Sequence, residues 1–75
     1  MIEFEWEQKV NRTEAAALLR ELADSLAGDG ELKIERDGWE LKAEVPNELE
    51  MEIEMEVEND EIELEIELKW SRQPT

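Results

Sequence analysis

LEMEIEMEVENDEIELEIELKW, residues 49–70, puts an apolar side chain at every second position on both sides of Asn59-Asp60. Glu and Leu favour helices, but wound as a helix this stretch would scatter its apolar groups over the whole surface. As strands it gives one apolar and one acidic face, so periodicity overrides propensity and predicts a long hairpin turning at Asn59-Asp60. Counting outward from the turn pairs Val57 with Ile62, Met55 with Leu64, Ile53 with Ile66, Met51 with Leu68 and Leu49 with Trp70. On the other face Glu58 meets Glu61, Glu56 meets Glu63, Glu54 meets Glu65 and Glu52 meets Glu67. Only Glu50 faces a cation, Lys69.

Upstream, Leu32 and Ile34 alternate, Asp37-Gly38 is a two-residue type I′ signal, and Trp39, Leu41, Ala43 and Val45 form a returning strand. That register pairs Ile34 with Leu41 and Leu32 with Ala43. A three-residue loop, Pro46-Asn47-Glu48, then sets Val45 opposite Leu49 and Lys42 beside Glu52, joining the two hairpins into one sheet. Asn11-Arg-Thr-Glu14 is a capping box, and Ala15, Leu18, Leu19, Leu22 and Leu26 form one stripe, which predicts a helix over residues 12–27 with a left-handed stop at Gly28. Before it, Ile2, Phe4 and Trp6 alternate with Glu3, Glu5 and Glu7 as a first strand that Val10 extends. Its length suits the fifth strand as neighbour, with the second strand as the alternative.

The expected fold class is therefore α+β: a two-layer β-α-β-β-β-β arrangement with a five-stranded, mainly antiparallel sheet and one helix packed on its apolar face. Seventy-five residues allow one domain, over residues 1–70, with a polar C-terminal tail at 71–75.

Composition narrows the chemistry. Twenty-three acidic residues against eight basic ones give a net charge of −15, and the chain has no His and no Cys. Disulfides, thiolate nucleophiles, imidazole acid–base groups and His- or Cys-based zinc sites are thereby excluded. The opening MIEFEWEQKV lacks the basic start and apolar run of a signal peptide, and the longest apolar stretch, Ala15 to Leu19, is far short of a membrane span. A cytoplasmic protein is expected, with no membrane and no direct nucleic-acid partner, since both present negative charge. A basic protein partner is compatible with the charge. The acidic stripe could also act as a mimic of a nucleic-acid phosphate backbone.

Like charges directly opposite one another are destabilising, and at molar salt the Debye length shrinks to about 3 Å. The Glu ladder therefore points to a protein that works in a high-salt cytoplasm. Flat strands hold carboxylates side by side without closing a cage, so no metal site and no cofactor is expected. Carboxylates are so numerous that no pair stands out as an acid–base couple, and no catalytic residue is assigned.

Five strands at about 4.8 Å spacing outspan one helix of about 10 Å, so some apolar surface is left over for contact. The candidate contact residues are Trp6, Trp39, Trp70, Met51 and Met55. The expected function is a non-catalytic, salt-adapted interaction or self-associating module, with a homodimer as the simplest assembly. The alternative is a binder of a small apolar ligand between helix and sheet.

The opening EFEWEQKV, the helix NRTEAAALLRELADSL, the Glu-alternating hairpin and its terminal Lys69-Trp70 together resemble the amphi-Trp domain proteins, small acidic proteins frequent in haloarchaea. The resemblance implies a compact stand-alone domain and a salt-loving source. It carries no catalytic residue onto this chain.

Overall fold

The computed structural model describes residues 1–72. It contains one helix, α1 (Arg12–Ala27), and four strands, β1 (Glu31–Arg36), β2 (Trp39–Glu44), β3 (Glu50–Glu58) and β4 (Glu61–Lys69). The α+β class holds, but the strands form two separate two-stranded antiparallel sheets, β1-β2 and β3-β4, in place of one five-stranded sheet. The chain divides into two compact units, Met1–Val45 and the chain from Pro46 onward.

In the first unit α1 begins as its capping box dictates. The Asn11 side chain accepts from the Glu14 N–H at 2.8 Å, and the Asn11 N–H donates to Glu14 Oε1 at 3.0 Å. Two otherwise orphaned donors are satisfied reciprocally. Asn11→Ala is expected to cost about 1 kcal/mol, read from the chemical denaturation midpoint.

The helix ends at Ala27, as expected, but its cap is not left-handed. Gly28 has φ −80°, and the left-handed glycine is Gly30 at φ +91°. Gly30 also closes the first hairpin, because its carbonyl accepts the Val45 N–H at 2.7 Å. Ser25 ties the last turn of α1 to β1: its Oγ donates to the Glu31 carbonyl at 3.1 Å and accepts the Lys33 N–H at 2.7 Å.

The β1-β2 register pairs Ile34 with Leu41 and Leu32 with Ala43, as the alternation requires. The turn has the expected two residues, but only Gly38 carries a positive φ, +90°. That sign pattern belongs to a type II turn, whereas type I′ needs both central residues positive. Leu32 and Ile34 are the buried apolar residues of the described chain, at 8% and 2% exposure, and α1 packs on their strand. Ala15, Leu18, Leu22 and Leu26 are half-buried, while Leu19, expected on the same stripe, is exposed.

No strand forms over residues 1–10, and the β-α-β-β-β-β order is corrected accordingly. Alternation fixes which side each chain residue faces; it does not supply a ladder partner. Here the segment is held by side chains, since Phe4 and Trp6 both stack on Trp39. The predicted link between hairpins through Val45 and Leu49 also fails. Val45 spends its N–H on Gly30, and Pro46 has no N–H to give. With no β2-β3 ladder among the described residues, the pairing expected of Lys42 with Glu52 is not made; the ladder partner of Lys42 is Lys33 on β1.

In the second unit, β3 and β4 pair in the predicted register from Val57↔Ile62 out to Met51↔Leu68. The ladder ends at Glu50↔Lys69, so Leu49 and Trp70 fall one position outside it. Asn59 takes φ +54° at the turn, a left-handed conformation that Asn tolerates better than most residues. Of the predicted polar tail, Ser71 and Arg72 are exposed and irregular, and residues 73–75 lie outside the described residues.

Candidate functional site

Two surfaces stand out, one in each unit. The first is the aromatic cluster of the first unit. Trp39 opens β2 directly after the Gly38 turn, and the opening segment lays two rings against it. Phe4 lies 4.9 Å from Trp39 between ring centroids at 49°, and Trp6 lies 6.0 Å away at 46°. Both are the tilted, offset arrangements that the ring quadrupoles favour.

Beside the cluster runs an open groove of about 820 Å³. Its apolar wall is Trp6, Val10, Ala15, Ala17, Leu18, Leu19 and Trp39, and its polar rim is Gln8, Glu14, Arg36 and Asp37. Two rim groups are already committed. Glu14 serves the helix cap, and Arg36 Nη1 donates to both carboxylate oxygens of Glu21, at 2.7 and 2.8 Å.

Of the residues singled out from sequence, Trp6 and Trp39 are thus brought together. Met51 and Met55 belong to the second unit, on β3, and Trp70 follows β4. Phe4 is a further ring of the cluster, beyond the candidate contact residues, and its place in the Ile2-Phe4-Trp6 alternation, on the same side as Trp6, is the signal for it. Leu19 and Val10 carried a similar signal as members of apolar patterns. The polar groups Gln8, Arg36 and Asp37 offered none.

The second surface is the β3-β4 hairpin. On one face Met51, Ile53, Met55, Val57, Ile62, Leu64 and Ile66 are all between 47% and 70% exposed. Leu68 is half-buried. The other face is the Glu ladder, with Glu52↔Glu67, Glu54↔Glu65, Glu56↔Glu63 and Glu58↔Glu61 directly opposed.

Electrostatics record the crowding. The Glu65 carboxyl is raised above the usual glutamate range by Glu63 first, then Glu54, with burial, Glu67 and Glu56 adding to it. The polar face of β1-β2 is mixed instead. Lys33 and Lys42 sit between the pairs Glu31↔Glu44 and Glu35↔Glu40, and Lys33 Nζ lies 3.3 Å from Glu35 Oε1. That hydrogen bond and charge hold the Lys33 ammonium above its ordinary value.

Because the folded hairpin holds the Glu65 proton more tightly than the unfolded chain does, the stability this gives is present at acid pH. It is lost as pH rises through the raised folded value. Glu65→Gln is expected to raise the melting midpoint at neutral pH in dilute buffer. The gain is expected to shrink at molar KCl, where the ladder is screened. A variant that melts with the wild type in dilute buffer would contradict the repulsion.

No group of three or more His, Cys, Asp or Glu among the described residues is arranged to hold a metal ion. Nor does any described helix have the length and apolarity to cross a membrane. No curated protein and no solved structure matches the chain. The Amphi-Trp domain model matches residues 1–75. That match spans the whole chain, helix and both hairpins alike, and the chain belongs to the Amphi-Trp domain family.

Proposed function

We propose that this domain works by association, not catalysis, and that the apolar face of β3-β4 is its contact surface. The carrying observation is the row of seven exposed apolar side chains on a two-stranded sheet. A lone hairpin is marginal at best in water, and a contiguous apolar face of this kind marks a surface to be covered. The absence of His and Cys from the sequence supports a non-catalytic role. A salt-rich working environment accords with the Glu ladder on the reverse face.

The uncharged dye Nile red tests the reading. It is expected to brighten with the wild-type chain in dilute solution, and to stay dark with an Ile53→Lys, Leu64→Lys variant that keeps its helical circular dichroism. A wild-type chain that leaves the dye dark would contradict it.

A second reading rests on the groove at Trp6 and Trp39, whose volume falls within the roughly 300–1,000 Å³ of small-molecule sites. It would take a small apolar ligand against the indole rings. Titration with a medium-chain alcohol is expected to shift the tryptophan emission of the wild type and not that of Leu19→Glu. Equal shifts in both would remove the groove as the site.

A further inference from the structure

We infer that the occupant of the β3-β4 apolar face is the same face of a second copy, and that ionic strength controls this pairing. The inference rests on the association reading above.

Charge is sorted completely between the two faces of the hairpin. By the observed register every strand glutamate, together with Lys69, lies on one face, and Met51, Ile53, Met55, Val57, Ile62, Leu64, Ile66 and Leu68 lie on the other. Two copies can meet face to face without burying a carboxylate. A basic partner would find its counter-charges on the wrong side of the sheet. A two-fold pairing also matches the two surfaces in length and in chemistry automatically, because they are the same surface.

Area explains why salt decides the outcome. Nine residues per strand give a face about 30 Å long, and two strands with their side chains give one about 15 Å wide. Each copy thus offers roughly 450 Å², and a pair buries on the order of 900 Å², short of the ~1,200–2,000 Å² of stable specific interfaces. The apolar gain is therefore small enough for electrostatics to tip.

Two electrostatic costs oppose pairing, and salt lowers both. Within each copy the four Glu–Glu pairs strain the hairpin that must present the face. Between copies, two chains of −15 each repel. In a face-to-face pair the acidic ladders point outward, beyond the ~10 Å separation of stacked sheets and so beyond the Debye length of about 10 Å at 0.1 M. The closely opposed glutamates within each copy are therefore the cost that salt lowers most, as that length falls to about 3 Å at 1 M.

The test is sedimentation equilibrium of the full chain at about 0.1 M and about 2 M KCl, for the wild type and for a Glu54→Gln, Glu56→Gln, Glu63→Gln, Glu65→Gln variant. Intermolecular NOEs between methionine-methyl-labelled and unlabelled copies accompany it at high salt. The expected result is a dissociation constant at least tenfold lower at high salt for the wild type, and a much smaller salt effect in the variant. Met51 and Met55 methyls are expected to contact the unlabelled copy. A dimer whose Met51 and Met55 methyls show no such contact would overturn the inference, as would a dimer of equal strength at both salts. A monomer at both salts that still brightens Nile red would overturn the second copy and leave the association reading standing. A monomer that leaves the dye dark would remove both.

Discussion

Ile34→Ala is expected to destabilise the protein by about 2–4 kcal/mol, as large-to-small changes at fully buried sites do. At 2% exposure Ile34 is the most deeply buried side chain described, and with Leu32 it makes up the buried core. A chain of this size has roughly 4–11 kcal/mol of total stability, so the loss is a large share of what there is. Equilibrium denaturation with guanidinium measures it, and Ile34→Val, which leaves most of the volume in place, is expected to lose about 1 kcal/mol. Equal, small losses in the two variants would mean that the core lies elsewhere.

Trp39→Ala is expected to be the next most damaging change, at about 2–3 kcal/mol. The indole takes both Phe4 and Trp6, and residues 1–10 have no strand ladder to fall back on. Loss of the ring should therefore free the opening segment while α1, β1 and the rest of β2 stay folded. Limited proteolysis is the direct readout: the variant is cut within residues 1–10 at protease levels the wild type survives. Wild-type resistance in Trp39→Ala would show that something other than the aromatic cluster holds the segment.

The contrast between these two positions shows what the sequence made legible. Ile34 was readable because period-two alternation and a two-residue turn together fix register, and both hairpins pair as counted up to Glu50↔Lys69, one position short of the expected Leu49–Trp70 pair. The helix bounds were readable because Asn11 and Glu14 form a local, reciprocal cap. Strand partnership was not, since alternation is a property of one segment and sheet membership is a property of two. The Ile2-Phe4-Trp6 pattern thus read as a strand although it encodes only which way the side chains point.

The same limit explains the failed Val45–Leu49 apposition. Apolar opposite apolar was consistent there, but the Val45 N–H had a nearer acceptor in Gly30. Within the candidate site, Trp6 and Trp39 were legible as residues of one face, and Met51 and Met55 as members of the hairpin's apolar row. The Ser25 bridge to β1 and the Arg36–Glu21 pair depend on how α1 and β1 approach each other in space. No local pattern announces such contacts.

The proposed pairing of the β3-β4 hairpin with a second copy makes the stability of that hairpin depend on protein concentration. Hydrogen exchange tests this most directly, following the amides of β3 and β4 at about 2 M KCl across a hundredfold range of protein concentration, with the β1-β2 amides as internal reference. The prediction is protection in β3 and β4 that rises with concentration while β1 and β2 stay constant. Protection of β3 and β4 that is the same at every concentration would contradict it.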